Sequence, residues 1–511
     1  MKLNVKKTIL IGLAFFSIGL FWQVYDSVLP KILTTHFGLN QTLSGLVMGL
    51  DNLIALFIIP VFGALSDRTK SKWGRRTPYI AIGTALSIVM FITLSFVDNA
   101  QINRIEQVDM YKSDTALITL WEEDLDVANP KYNAIKKIFK GEDEPKEVKL
   151  SSLISKEEFL NIKATNSEGK PTQGYIRYVV PARTAYAKLQ TSNNPFTLVI
   201  FILILLTLLL SMAMYRSPAV ALMPDVTIKP NRAKANSIIN LLGAVAAGVI
   251  IVLGFLFKTG QGSNTTMSYT FFFSAAAALM AIAIIIFLLT VNEPKLVKEK
   301  EEAIKKYKID DKDEDFSGDK KLSKERNRSL ILLLLTSAFA YMGFNALNSK
   351  YTVYAEYVLH IDYNTTLMFA MVVAIISFVP IGYLSDKVGR KQTALFGIAG
   401  LAVLLSFGGL LDSTSPSWIM NTIFSLAGVC WAAIQVNAYP MVVELSKGSN
   451  VGKYTGYYYA ATMTAQFLTP ILSGIFMDLF GFRTLFPYAA ICVGIAMLML
   501  LGVKHGDYKR T

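Results

Sequence analysis

The feature that most constrains this chain is a series of uncharged apolar runs, each long enough to cross about 30 Å of hydrocarbon as a helix of roughly 20 residues. They occupy residues 8–25, 77–97, 189–215, 235–257, 259–292, 329–349, 363–385, 392–411, 413–443, 454–477 and 484–503. A twelfth run, 41–66, is broken only by Asp51. Inside a bilayer a chain must satisfy its own backbone hydrogen bonds, and a helix does so within the segment. The twelve runs therefore predict an all-α polytopic membrane protein with twelve transmembrane helices. Charged residues are 17% against 53% hydrophobic, where a soluble domain sits nearer a quarter charged. An ordinary soluble or disordered chain is excluded.

The formal net charge of +13 suggests nucleic acid until the cations are located. Short segments on one side hold Lys6, Lys7, Arg68, Lys70, Lys72, Arg75, Arg76, Arg216, Lys229, Arg232, Lys387, Arg390, Lys391, Lys504 and others, whereas the opposite short segments hold only Lys31, Lys258, Lys350 and Arg483. Lys and Arg accumulate on the cytoplasmic side of multispan proteins. This distribution predicts that both termini are cytoplasmic, and it accounts for the charge without a nucleic-acid partner. The first run continues into Gln23 and Asp26 with no A-x-A-like cleavage site, so it reads as a retained helix rather than a signal peptide. Cys430 and Cys492 lie in different apolar runs. They indicate core packing and neither a disulfide framework nor a metal site.

Two stretches interrupt the spans and set the expected domains: 1–97 with spans one to three, 98–195 as an extracytoplasmic insert, 196–291 with spans four to six, 292–328 as a cytoplasmic linker, and 329–511 with spans seven to twelve. The insert carries Trp121, Phe139, Tyr175 and Tyr178, and Ser151–Asn161 has a helix-start pattern of Ser followed by Glu. It is long enough for a small domain, with an unstructured loop as the alternative. The linker is rich in Lys, Glu and Asp, and a solvated connection between halves is the default for such a composition.

The halves are related. After span two stands Gly63-Ala-Leu-Ser-Asp67-Arg68, followed by Gly74-Arg75-Arg76; after span eight stands Gly382-Tyr-Leu-Ser-Asp386-Lys387, followed by Gly389-Arg390-Lys391. A repeat of six spans is how many secondary transporters are built, with substrate near the midplane between halves that rock. An acid at the C-terminal end of a helix opposes the helix dipole and needs a cation to answer it. These loops resemble the signature loop of the major facilitator superfamily. The resemblance implies two six-helix pseudo-repeats and a monomer. It also implies a latch that closes the cytoplasmic side in the outward-facing state, carried here by Asp67, Arg68, Arg75, Arg76, Asp386 and Arg390; a membrane-surface anchor is the plainer alternative.

Within that superfamily the chain resembles the sucrose-transporter-like branch related to the glycoside-pentoside-hexuronide cation symporters. The likeness rests on Phe21-Trp-Gln-Val-Tyr-Asp26 with Leu29-Pro30, on Trp73-Gly-Arg-Arg-Thr-Pro78-Tyr-Ile after the first cassette, and on Tyr215-Arg-Ser-Pro-Ala-Val-Ala-Leu-Met-Pro-Asp225-Val before Arg232-Ala-Lys-Ala-Asn236. It covers the spans and neither insert nor linker.

An ionisable side chain at the bilayer centre costs at least about 2.5–3.5 kcal/mol and usually marks a pathway. Asp51 lies sixteen residues before Asp67, about 24 Å along span two. Asp26 lies nineteen residues after Lys7, about 28 Å along span one, at similar depth in an antiparallel neighbour. Two neighbouring acids can share a proton, so Asp51 and Asp26 are the expected proton-coupling pair; the alternatives are a structural hydrogen bond for Asp51 and an interfacial position for Asp26. A sodium-coupled relative would show clustered acids on spans two and four, which are absent here, so H+ is favoured over Na+. No cofactor or metal is expected.

Sugar recognition needs aromatic faces and amides. Candidates are Trp22 and Gln23 on span one, Asn240 on span five, Tyr341, Asn345 and Asn348 on one face of span seven, Trp431, Gln435 and Asn437 on span ten, and Gln466 with Tyr457, Tyr458 and Tyr459 on span eleven. Each alone is as readily a helix–helix contact. Arg216 reads as a vestibule residue or a snorkelling one, and Glu356 as a gate partner of Lys350 or an exposed acid. Gly243, Gly248 and Gly254 suit close helix approach.

The favoured function is a proton-coupled importer of a disaccharide or glucoside such as sucrose or maltose, working in a cell membrane (bacterial inner or plasma). The alternatives are a multidrug exporter of the same fold, for which span five lacks the expected Gly-x-x-x-Gly-Pro element, and a sugar sensor that does not transport. An enzyme is disfavoured: there is no nucleotide loop and no H-E-x-x-H, and His36, His360 and His505 are the only histidines.

Overall fold

The computed structural model describes residues 3–109, 115–129, 131–132, 145–167, 171–260, 267–307, 323–445 and 451–505. Twelve long helices follow the apolar runs: span one Val5–Lys31, two Gln41–Arg68, three Thr77–Ile105, four Phe196–Val226, five Arg232–Leu256, six Thr270–Thr290, seven Lys324–Tyr354, eight Tyr363–Val388, nine Arg390–Gly408, ten Ser417–Glu444, eleven Val451–Phe480 and twelve Leu485–Leu501. Eleven are long and apolar enough to cross a membrane, and span eight contributes a shorter apolar stretch, Tyr363–Phe378. Helices apolar on all sides leave large side chains such as Phe271 and Leu289 on the outside of the bundle, which a lipid-facing surface requires.

The packing shows the duplication directly. Span one packs on five and six, two on four, and three on four and six; span seven packs on eleven and twelve, eight on ten, and nine on ten and twelve. Adding six to each member of the first set gives the second. The contacts between halves, two on eleven and five on eight, are exchanged by the same operation, while one on seven maps onto itself. A pseudo-twofold axis thus relates two six-helix bundles. Each bundle opens with a helix that ends in a wide π turn, Ile32–His36 and Ala355–Leu359, and the next helix is capped by Asn40 or Asp362.

Span three outruns its apolar run by two turns, so the helix ends at Ile105 rather than near 97. Its extra polar residues are satisfied from elsewhere: Asp98 bonds His36 Nδ1 at 2.6 Å, and Gln101 Nε2 donates to the His36 carbonyl and to Thr191 Oγ1, both at 3.0 Å. The described residues of the insert that follows are folded, not an unstructured loop. Its helices Thr115–Glu123, Lys156–Leu160 and Val180–Asn193 and the antiparallel strand pair Asp126–Ala128/Glu147–Lys149 enclose a core that includes Leu117, Val127, Leu150, Phe159, Tyr175 and Tyr186. The expected Ser-to-Glu helix start is present as a capping box between Ser155 and Glu158. Phe139 lies outside the described residues. In the linker, Glu293–Tyr307 is a helix docked on the end of span four, not a free solvated segment.

Candidate functional site: a polar seam between the halves and its two ends

Midway along the bundle, span one presents Trp22, Gln23 and Asp26, span two Asp51, and span four Arg216, all half-buried. Tyr25, one residue before Asp26, donates its hydroxyl to the Met48 carbonyl at 3.0 Å, which ties span one to span two just before Asp51. Asp51 accepts from Asn52 Nδ2 at 2.7 Å. Arg216 does not snorkel: it sits 5.4 Å from the centroid of the Trp22 ring, a cation–π arrangement, and senses Tyr459 of the other half. The first half thus offers two carboxylates, one guanidinium and an indole at one level.

The second half offers aromatic and amide groups. Trp431 stacks on Phe344 at 3.9 Å with planes 1° apart and meets Tyr341 edge-on at 5.1 Å. The Tyr341 hydroxyl and the Gln435 amide are bonded at 3.0–3.1 Å. Asn345 Nδ2 donates to the Gln466 carbonyl at 3.0 Å, and Gln466 Nε2 donates to Thr462 one turn back. Asn348, further along the same face, is exposed.

Two candidates fall elsewhere. Asn437 is fully buried and accepts from the Ser385 hydroxyl while donating to Ala433; it joins span ten to span eight and is not presented to a ligand. Asn240 is exposed near the start of span five, among the cassette-end residues. The glycine expectation holds at two of its three positions: a Cβ on Gly248 would lie 2.9 Å from Met371 and one on Gly254 2.5 Å from Asn364, where spans five and eight touch, whereas one on Gly243 would make an ordinary contact, 3.6 Å from the Phe15 carbonyl oxygen.

At the cassette end, Arg76 is the hub. Its guanidinium pairs with Asp67 and, at 2.8 Å, with Asp225, and donates to Ser66 Oγ at 2.5 Å. Burial alone would push Arg76 down, but the Asp225 and Asp67 carboxylates more than offset it and hold its pKa up. Arg75 pairs with Asp225 at 2.7 Å, while Arg68 is exposed and stands outside this cluster. The Glu293 carboxylate accepts from the backbone N–H of Arg75, Arg76 and Thr77 and from the Thr77 hydroxyl at 2.8–3.1 Å. A carboxylate there answers the positive end of span three. Gly74 carries φ +105°, and a Cβ would strike Glu293 at 2.3 Å. Gly389 in the second cassette has the same φ, and Arg390 pairs with Glu444. The Asp386 side chain lies outside what the structure describes.

Asp225, Glu444 and Glu293 were not nominated as partners of the cassette residues. A signal existed for two of them, since Asp225 and Glu444 close the fourth span of each repeat, as the two cassettes close the second. In both cassettes the described ion pairs stay within one half.

The bonds that join the halves gather at the insert end. Asp478 of span eleven accepts from Gln41 N at 2.9 Å, Thr42 N at 2.8 Å and Thr42 Oγ1 at 2.5 Å. The buried Lys350 donates to the Gln41 carbonyl at 2.7 Å. Glu356 therefore does not pair with Lys350; its partner is Lys31 of span one, at 2.9 Å. Gly45, Gly49 and Gly474 let spans two and eleven meet backbone to backbone. These contacts draw the two halves together at the insert end.

Comparison with known proteins agrees with this architecture. The model of the Major Facilitator Superfamily matches residues 184–379 and 359–511, and that of the MFS/sugar transport protein family matches residues 10–101. Among curated relatives, the sucrose transport protein SUT1 of Oryza sativa is 29% identical over 94 residues, 18% of this chain and 17% of that protein. The lactose permease of Lactobacillus helveticus is 39% identical over 64 residues, 11% of this chain and 10% of that protein. These matches thus span only a sixth or less of the relatives' length. Among solved structures, the inward-open conformation of the xylose transporter XylE from E. coli aligns over 98% of this chain and 96% of its own, with TM-score 0.60 and 13% identity. The nucleoside transporter NupG aligns over 98% and 100% with TM-score 0.55 and 11% identity. The repeated helix packing, the paired cassettes and a family match over more than half the sequence lead to one conclusion: this chain is a multi-pass membrane protein of the major facilitator superfamily.

Proposed function

We propose that this protein imports a sugar, of the disaccharide or glucoside class, by proton symport through alternating access, with the cassette end cytoplasmic and the insert outside. The observation that carries this reading is the Arg216 guanidinium against the Trp22 ring on the half that also carries the half-buried Asp26 and Asp51, with a second aromatic and amide group, Trp431, Tyr341 and Gln435, on the other half. Indole faces suit the C–H surface of a sugar ring, and the amides and Arg216 suit its hydroxyls. Asp51 takes the coupling proton, with Asp26 at hand to share it. Protonation of Asp51 removes a negative charge from the half that carries Arg216 and leaves the guanidinium, held against Trp22, to a sugar hydroxyl. Proton and sugar would then load together.

The sugar assignment is also supported by the short matches to the sugar-transport family, a sucrose transport protein and a lactose permease. The test is a panel of mono- and disaccharides scored for sugar-induced proton uptake into proteoliposomes. Asp51→Asn is expected to abolish uphill accumulation and leave sugar counterflow intact. Proton-driven accumulation undiminished in that variant would refute the coupling role, and absence of counterflow for every sugar would refute the carrier reading.

A further inference from the structure

The insert belongs to the first half by connectivity, because it lies between spans three and four, yet it holds the second half at three points. Tyr357 of span seven's π turn packs against the insert core, held in place by Phe482 of its own half, on which it stacks at 5.0 Å with planes 12° apart. Lys146 donates to the Asp478 carbonyl. Gln173 Nε2 donates to Ser413 Oγ at 3.1 Å, in the loop between spans nine and ten.

Directly beneath this surface layer, Glu356, the neighbour of Tyr357, forms the ion pair with Lys31; the two side chains are 7% and 1% exposed. Lys31 also donates to the Thr259 carbonyl at 3.0 Å and lies 5.7 Å from the Tyr363 ring. The Tyr363 hydroxyl and Asn364 Nδ2 bond Thr259 Oγ1 from the other half at 3.0 and 3.3 Å. One lysine from the first helix of each repeat, Lys31 and Lys350, thus ends on a backbone carbonyl at the tip of a helix bordering the seam.

We propose that the insert and the buried Lys31–Glu356 pair form a single latch on the insert-side mouth, and that the insert is a strap setting how readily that mouth opens. In the closed state both charges are compensated by each other. When the halves part, both become hydrated. Removing one partner therefore leaves an unpaired buried charge in the closed state alone, and the equilibrium moves toward the open mouth. Loss of the Tyr357 ring weakens the strap by the same logic, through its apolar packing on the insert core rather than a charge.

The inference rests on the alternating-access reading, but its test uses no substrate, so the two can fail separately. Spin labels are placed at the exposed positions Leu43 and Trp418 across the insert end and Leu65 and Tyr383 across the cassette end, with Cys430 and Cys492 replaced by Ala. Distances are read by double electron–electron resonance in lipid nanodiscs. Glu356→Gln is expected to lengthen the insert-end distances and shorten the cassette-end ones, a shift of about a hundredfold in the closed-to-open ratio. The exchanged pair Lys31→Glu with Glu356→Lys is expected to restore the closed mouth, and Tyr357→Ala to shift the ratio by about tenfold. Wild-type distributions in Glu356→Gln would overturn the latch, as would an exchanged pair no better than the single variant. Should Glu356→Gln purify poorly, Tyr357→Ala combined with Gln173→Ala reads the strap alone, and unchanged distributions there overturn it.

Discussion

Gly45→Ala adds one methyl group at the tightest point of the insert-end seam. A Cβ built on Gly45 lies 1.9 Å from the Pro470 carbonyl oxygen and 2.4 Å from its carbon, where a carbon–oxygen contact needs about 3.3 Å. The obstacle is backbone and cannot rotate away, so spans two and eleven must separate by about 1.4 Å, the difference of those two distances. Three bonds cross the same contact at 2.5–2.9 Å, all from the start of span two to the Asp478 carboxylate of span eleven. The same retreat stretches each beyond hydrogen-bonding distance. Overpacking costs about 1–3 kcal/mol, and the weakened charged bonds add to it, so the closed mouth loses about 3 kcal/mol in all. That is roughly a hundredfold in the ratio of states. The assay is the reaction of a membrane-impermeant maleimide with a single cysteine at Asn345, a half-buried position on the seam, added from either face of sealed vesicles. The wild type is expected to react from the cassette face, and Gly45→Ala to gain reactivity from the insert face by about the ratio above. An insert-face rate no higher than the wild type's would refute the steric reasoning.

Three further outcomes are expected. Gly74→Ala places a methyl 2.3 Å from the Glu293 carboxyl in a backbone at φ +105°, and should lower thermal stability in detergent by about 1–3 kcal/mol; Gly389→Ala should show the conformational part of that loss, since it shares the φ. Glu293→Gln removes a charged acceptor for the start of span three and should cost about 1.5–3 kcal/mol, read as a lower melting temperature that Glu293→Asp partly recovers. Asp412, in the loop after span nine, is held below the usual carboxylate range by the Thr414 hydroxyl and N–H. Its contribution is therefore present above its unfolded value of about 3.9 and lost as pH falls through the lower folded one; Asp412→Asn should flatten that acid limb in a melting-temperature-against-pH series.

The twelve helices were legible because a membrane segment satisfies its backbone locally, so length and apolarity nearly determine its structure. The repeat was legible for a related reason: Gly74 and Gly389 occupy the same left-handed turn, and that requirement leaves the same residues at the same offset. Asp26, Asp51 and Arg216 could be nominated from sequence, because Asp51 interrupts an apolar run and Asp26 and Arg216 each directly follow one. Their mutual arrangement, with Arg216 against Trp22, could not be read that way.

What tertiary structure alone decided are the partnerships between residues remote in the chain. Sequence assigned Glu356 to nearby Lys350, whereas packing gives it Lys31 from the other bundle. Sequence ended span three at its last apolar residue, whereas His36 and Thr191 supply what Asp98 and Gln101 need to remain helical and buried. Asn437 looked like a ligand group and proved to be a bond between spans eight and ten. A polar side chain in an apolar helix announces that it needs a partner; whether that partner is a sugar, a proton or another helix is fixed only when the helices are packed.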